Sequence, residues 1–266
     1  MDKVLVVLSG GLDSSVALMM CVNEYGKDNV SAITFDYNQK QRLEIHKAGE
    51  LTNKLGVEHT ILDLSVLGEI ARPMSANISD TDVEMLNIKE VLGDPQPVTY
   101  VPFRNMILLS LAMSHAEVQG CNKVITGLQV HDEYGYWDTT QKFVDTMNVV
   151  ASQNRQHKVT IEAPFSQMSK ADEIEVAIEL GQFDLLKYTL SCYNPQGMLS
   201  CGKCPSCAER IMNFMKVGRK DPIPYDIDID WKVYRIGAFI FFILSFVVMK
   251  YLVDHFKKQI DDVEII

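Results

Sequence analysis

Lys3-Val4-Leu5-Val6-Val7-Leu8-Ser9-Gly10-Gly11-Leu12-Asp13-Ser14-Ser15 opens on a short β-branched apolar run and turns at once into glycines, an aspartate and serines. Lys3 to Leu8 reads as a buried parallel strand, and Ser14 to Glu24 follows with helical spacing. Between them, two glycines let the backbone turn tightly and approach a ligand without a Cβ clash. N–H groups at a helix start, with the positive end of its dipole, favour an anion. Ser9, Ser14 and Ser15 add hydroxyl donors, while Asp13 repels a phosphate unless Mg²⁺ or a donor engages it. A plain strand–turn–helix corner accounts for one glycine and one cap, not for the whole string. The spacing matches neither Gly-x-x-x-x-Gly-Lys-Ser/Thr nor Gly-x-Gly-x-x-Gly, which disfavours a Walker-type site and a dinucleotide site.

Outward from this corner, strand and helix patterns alternate. Val30 to Phe35 is a second strand, Gln39 to Leu55 a charged helix ended by Gly56, and His59 to Leu64 a third strand. That order implies an α/β fold with a parallel sheet and right-handed crossovers. Ser65 to Pro97 has weak periodicity and is expected to border a site. Asn105 to Val118 is the next helix, with Met106, Leu108, Leu109, Leu111 and Ala112 facing inward. A strand at Lys123 to Thr126 ends at Gly127. A helix over Thr140 to Ala151, a strand at Lys158 to Glu162 and a helix over Lys170 to Leu180 complete the pattern.

The chain has 266 residues, 47% hydrophobic and 23% charged, so disorder and fibrous repeats are excluded. Lys and Arg number 25 against 35 Asp and Glu, a net charge of -10, which argues against binding nucleic acid through a broad basic face. The first apolar run is too short for a signal peptide, so a reducing, cytoplasmic setting is expected for the body. Cys192, Cys201, Cys204 and Cys207 fall within sixteen residues. In that setting they point to a closed tetrahedral Zn²⁺ site, with Gly202 and Pro205 in its turns. Two disulfides or a redox pair are the alternatives. Cys21 and Cys121 read as small buried hydrophobes.

Ser9-Gly10-Gly11-Leu12-Asp13-Ser14 resembles the pyrophosphate (PP) loop of the ATP-pyrophosphatase superfamily. With the four cysteines and a set of ordered segments, the chain resembles the 7-cyano-7-deazaguanine synthase family over residues 1–217. Those segments are Phe35-Asp36-Tyr37-Asn38-Gln39, Arg42 with Glu44, Val101-Pro102-Phe103-Arg104-Asn105 and Ile125-Thr126-Gly127. Gly135-Tyr136, Ala163-Pro164, Lys170-Ala171 and Thr189-Leu190-Ser191-Cys192-Tyr193-Asn194 continue the order. The resemblance implies a Rossmann-like sheet of the adenine nucleotide alpha-hydrolase type with a zinc knuckle at 192–207. It also implies ATP-dependent conversion of 7-carboxy-7-deazaguanine and ammonia to 7-cyano-7-deazaguanine, with ATP, Zn²⁺ and Mg²⁺ as cofactors. ATP is then expected at Leu8, Ser9, Gly10, Gly11, Leu12, Asp13, Ser14 and Ser15, with Asp36 and Gly127 at strand ends. Arg104 and Lys170 are the candidates to offset charge on the transferred group, with Arg42 third. Tyr136, Asp132 and Asp138 are the candidates to recognise a flat purine-like ring by stacking and by accepting its N–H protons.

Two departures from the family pattern stand out. Where members commonly read Gly-Tyr-Pro-Asp-Cys-Arg, this chain has Gly135-Tyr136-Trp137-Asp138-Thr139-Thr140, so the resemblance leaves open a related substrate and two products, the nitrile and the amide. The second is the C-terminus. Gly218 to Asp230 reads as a linker, 231–253 as a candidate membrane-spanning helix, and 254–266 as a polar tail. The uninterrupted apolar run Ile236 to Met249 is about 21 Å at helical rise, short of a ~30 Å hydrocarbon layer unless its flanking residues are counted. Trp231, Tyr234 and Tyr251 supply interfacial aromatics. A hydrophobic helix buried in an oligomer interface, as in a homodimer, or against the body of the protein is the other reading. Two functional alternatives also remain at this level: a tRNA-modifying sulfurtransferase or amidotransferase of the same superfamily, and a membrane-anchored sensor binding nucleotide or deazapurine without turnover.

Overall fold

The computed structural model describes residues 2–84, 97–129 and 136–231. β1 (Val4–Val7) lies at the centre of a five-stranded sheet because its alternate side chains are apolar on both faces. Val4, Val6 and Leu8 point to one face and Leu5 to the other, all essentially without solvent contact. On the first face α1 (Leu12–Tyr25) and α2 (Leu43–Leu55) cover the sheet. On the second, Leu5, Ile33 and Phe35 meet α3 (Ser65–Ala71) and α4 (Arg104–Gln119). Each such fully buried Leu, Ile or Val is worth about 1.5–3 kcal/mol relative to exposure.

β2 (Val30–Asp36) and β3 (Glu58–Asp63) lie to one side of β1, and β4 (Lys123–Thr126) and β5 (Thr160–Glu162) to the other. The order is β3-β2-β1-β4-β5, parallel throughout, with Val4 beside Val30 and Lys123, and Val7 beside Ile33 and Thr126. After β3 the chain therefore returns across the sheet to begin β4. Open parallel sheets bind ligands at such a switch, outside the carboxyl ends of the central strands. Here those ends carry the Ser9–Ser15 loop and Gly127. The remaining α-helices among the described residues are α5 (Gln141–Ala151), α6 (Lys170–Glu179) and α7 (Pro205–Lys216).

The parallel α/β reading agrees with this architecture; several boundaries do not. The second helix begins at Leu43 rather than Gln39. The Gln39 side chain folds back to accept from Tyr37 N–H at 2.9 Å and to donate to Phe35 O at 3.1 Å. Its backbone then pairs antiparallel with Ile78. The first helix starts earlier than Ser14, at Leu12, with Gly11 at its N-cap. Ser65 to Pro97 contains a short helix, α3. Met106, expected inside, is 38% exposed, and Asn105, Leu109, Ala112 and Ala116 form the buried stripe of α4.

Residues 218–230 are not a free linker. Asp221 and Ile223 are buried, Ser200 N–H donates to Pro224 O and Asp226 N–H to Ser200 O, so this stretch packs onto the cysteine segment. Among the described residues no helix is long and apolar enough to cross a membrane. The span expected at 231–253 and the polar tail at 254–266 lie, apart from Trp231, outside the described residues.

Candidate functional site

Main-chain proximity builds the loop first. Gly10 adopts φ +90°, and a Cβ there would sit 2.0 Å from Glu44 O, so only glycine fits between the loop and the start of α2. A Cβ on Gly127 would stand 2.6 Å from Ser14 N, so the end of β4 abuts the first turn of α1. Ser9 N–H donates to Ser14 Oγ at 3.1 Å, Gly11 N–H to Ser9 Oγ at 3.2 Å, and Ser15 O–H to Gly11 O at 2.6 Å. The hydroxyls thus brace the turn as well as line it. Leu8 and Leu12 belong to the core by their side chains and can meet a ligand only through the backbone. The opening turn of α1 leaves N–H groups without intrahelical partners, which is an anion cradle.

The neighbour that engages Asp13 is an ammonium. Lys170, first residue of α6, is 8% exposed, with Nζ 3.7 Å from Asp13 Oδ1 and 3.0 Å from Glu209 Oε2. Burial pulls its pKa down, but Asp13 and Glu209 outweigh that and hold it charged. Ser169 fixes the start of α6 in a capping box with Asp172, which sets the direction in which Lys170 leaves the helix.

Arg104, Tyr136, Asp138 and Tyr193, with Asn77, Thr99, Tyr100 and Val101, line a cavity of about 100 Å³. Arg104 opens α4 directly after Phe103, whose φ of +52° is a left-handed conformation costing about 1–3 kcal/mol for a residue with a side chain. Phe103 N–H donates to Tyr100 Oη at 3.2 Å, and the Arg104 guanidinium reaches Tyr37 Oη at 3.4 Å. Asp138 is buried and accepts from Asn105 N–H at 3.1 Å; burial pushes its carboxyl up, partly offset by that bond and by Arg104. Tyr136 stacks on Tyr100 with centroids 6.2 Å apart and shares a 2.7 Å hydrogen bond with Thr99.

The three positions that depart from the family pattern have local partners. Trp137 Nε1–H donates to Tyr100 Oη at 3.0 Å, Thr139 O–H to Tyr136 O at 2.8 Å, and Thr140 caps α5 by accepting from Phe143 N–H. Asp132 lies outside the described residues. Asp36 is placed elsewhere: Arg42 holds its carboxylate at 2.6 Å, and both line a separate open cavity of about 460 Å³ against α2. Arg42 is thereby engaged away from Arg104 and Lys170.

Glu44 is in the first turn of α2, and its backbone oxygen abuts Gly10 of the loop. Desolvation pushes its carboxyl up to about 8, with Arg104 opposing and Asp13 adding to the rise. A raised folded-state value means that neutral Glu44 stabilises the fold fully below about 4.5, and this contribution is lost as pH climbs toward about 8. The melting temperature of the wild type should therefore fall relative to Glu44→Gln across that window and match it below. Parallel melting curves for the two proteins from pH 4 to 9 would contradict the assignment.

The four cysteine sulfurs all lie within 4.8 Å of one another, and none is in a disulfide. Cys201 and Cys207 Sγ are 4.0 Å apart, against about 3.8 Å for two thiolates on a tetrahedral ion with 2.3 Å bonds. Backbone N–H groups of Tyr193, Asn194, Cys201, Lys203, Cys204 and Cys207 donate to these sulfurs at 3.2–3.5 Å. Such donors offset thiolate charge, and sulfur hydrogen bonds from Cys192 and Cys207 drive the Cys204 thiol strongly down. Gly202 takes φ +71°, and Pro205 opens α7 at a position that needs no N–H donor. The donor set fits a soft divalent ion in a closed site.

The knuckle also reaches into the loop. Leu190 N–H donates to Gly10 O at 2.9 Å. Arg210, on α7 and 1% exposed, binds Asp221 at 2.6 Å and Thr189 Oγ1 at 2.8 Å. Tyr193, next to Cys192, lines the cavity, and Glu209 from α7 holds Lys170. The sequence reading named neither Tyr193, Tyr100, Asn77 nor Thr99 as lining residues; closeness to Cys192 or Arg104 along the chain pointed to Tyr193, Thr99 and Tyr100, and Asn77 falls in the Ser65 to Pro97 stretch expected to border a site.

Comparison with known proteins identifies the family. Residues 3–218 match the profile of the family described as queuosine biosynthesis protein QueC. A 7-cyano-7-deazaguanine synthase of Clostridium acetobutylicum is 36% identical over 219 residues, covering 82% of this chain and 96% of its own. One from Clostridium botulinum is 35% identical over 216 residues, covering 81% and 95%. Among solved structures, an NH3-dependent NAD synthetase from Campylobacter jejuni is similar at 17% identity and a TM-score of 0.40, over 68% of this chain and 65% of that one; a likeness so loose carries no argument. With a profile match over residues 3–218 and relatives 35–36% identical over more than four fifths of this chain, the chain belongs to the QueC family.

Proposed function

We propose that this protein is an ATP-dependent enzyme that converts 7-carboxy-7-deazaguanine and ammonia to 7-cyano-7-deazaguanine. The observation that carries the reading is a pair of sites linked by one segment: an anion-binding turn faced by buried Lys170 and bonded to Leu190, and an aromatic cavity lined by Tyr193 three residues on, with Arg104 and Asp138 in its wall. A carboxylate is a poor electrophile because oxide would have to leave. Transfer of AMP from ATP to a carboxylate oxygen, with pyrophosphate departing, makes that oxygen a leaving group. Ammonia then attacks the carbonyl carbon, AMP leaves and a proton is lost, giving the amide. Activation of the amide oxygen in the same way, followed by loss of the activated group and the N–H protons, leaves the nitrile.

In this reading the loop amides and Lys170 hold the phosphates and oppose their growing charge. Mg²⁺ arrives with the triphosphate, whose oxygens are its preferred ligands. Arg104 faces the substrate carboxylate, Asp138 accepts ring N–H protons, and Tyr136 and Tyr193 flank the heterocycle. Zn²⁺ on Cys192, Cys201, Cys204 and Cys207 is structural, since four thiolates leave no open position. Purified protein given the acid, ammonia and ATP should yield the nitrile by mass spectrometry, with the amide as a transient. Neither product from folded, metal-loaded protein would refute the reading.

A further inference from the structure

Behind the phosphate loop, three buried oxygen atoms lack a hydrogen-bond donor: Asp13 Oδ1, Glu173 Oε2 and Gln129 Oε1. Glu173 is on α6, one turn beyond Lys170, and has no solvent contact. Gln129, just after β4, donates its amide Nε2–H to Glu173 Oε1. Asp13 is in the first turn of α1, which shares a buried cluster with α6, and Lys170, one turn before Glu173, lies 3.7 Å from Asp13 Oδ1. With both carboxyls ionised the pair could not hydrogen-bond, because each only accepts, and the Asp13 charge raises the Glu173 carboxyl. One proton between them turns an orphaned pair of acceptors into a donor and an acceptor. Charge points the same way. Lys170 is already divided between Asp13 and Glu209, so a second bare carboxylate here would add negative charge where a polyphosphate must bind.

We propose that Glu173 is a positioning residue that remains a neutral carboxylic acid and donates its proton to Asp13, fixing the aspartate in the phosphate loop. The groups facing it are Asp13 on α1, Gln129 after β4 and Lys170 on its own helix, with Glu209 of α7 acting through Lys170. Burial, Asp13's charge and the hydrogen bond to it all raise the Glu173 carboxyl, against the weaker pull of Lys170 and Gln129. Burying a carboxylic acid also costs far less than burying its ion. The role of the proton in nucleotide binding rests on the ATP-loop reading; its presence does not.

Two measurements separate these. The infrared difference between wild type and Glu173→Gln at neutral pH, without nucleotide, should contain a protonated-carboxyl carbonyl band that shifts in D2O; carboxylate bands alone would overturn the proposal whatever the activity. In turnover, Glu173→Leu should raise the KM for ATP about tenfold, since it strands Asp13 and Gln129. Glu173→Gln, whose amide accepts from Gln129 and donates to Asp13, should restore most of that loss. A Gln variant as impaired as the Leu variant is the result a cation-binding carboxylate would give, and it would also overturn the proposal. If Glu173→Leu does not fold, the spectrum and the Gln variant decide. A carboxyl band in a protein that turns over neither ATP nor the acid would count against the enzymatic reading only.

Discussion

Lys170→Met should lower kcat by about 10²–10³-fold, the usual cost of deleting one preorganised group that opposes transition-state charge. The side chain is nearly as long as lysine and mostly apolar, so it fills the same buried space while removing the ammonium. Lys170 is placed for this role by geometry rather than by charge alone. It leaves a capped helix start, is 8% exposed, and is held 3.0 Å from Glu209 and 3.7 Å from Asp13 of the loop. A solvated lysine would swing away and be screened. Glu209→Gln, which keeps the neighbour's shape and removes one of the two charges holding Lys170, should fall between wild type and Lys170→Met. Steady-state turnover with the metal content of each variant measured in parallel checks this. Full activity in Lys170→Met would remove the residue from the chemistry.

Removing the metal should be more damaging still. About one zinc per chain is expected by elemental analysis, and Cys204→Ser or stripping with a strong chelator should abolish activity and lower the melting temperature substantially. Structural zinc in small peptide sites is worth about 10–16 kcal/mol, a quantity comparable with the whole stability of a domain. Without an ion, four thiolates within 4.8 Å repel one another unless they take up protons, and the backbone turns around 192–207 lose what closes them. The damage would travel along stated contacts: Leu190 N–H to the Gly10 carbonyl, Tyr193 in the cavity wall, and Glu209 against Lys170. Re-addition of zinc to chelated protein should restore both melting temperature and turnover. Folded, active protein with almost no metal would show that the cysteines hold the knuckle by packing alone.

Local order along the chain was sufficient for the sheet, the glycine–serine turn and the grouping of the four cysteines, and the reason is range. A buried strand needs a run of apolar residues, a tight anion-binding turn needs adjacent glycines, and a knuckle needs cysteines a few residues apart. All three conditions are met within a dozen or so consecutive positions, as at Val4–Ser15 and Cys201–Cys207. Helix starts were less legible. Gln39 has a helix former's side chain, yet its bonds to Tyr37 and Phe35 and its pairing with Ile78 hold it out of α2.

What required the third dimension was every choice between equivalent residues. Arg42 and Arg104 both lie in family-like segments; one is exposed on Asp36, the other opens a helix into the cavity. Asp36 and Asp138 are both aspartates beside aromatics, and only Asp138 shares a cavity wall with Arg104. Glu173 looks like one of several acids on a surface helix until α6 is seen packed against α1, where desolvation and a second carboxylate change its charge. Burial and the identity of a neighbour from a distant segment set such roles, and neither is written in the residues adjoining them along the chain.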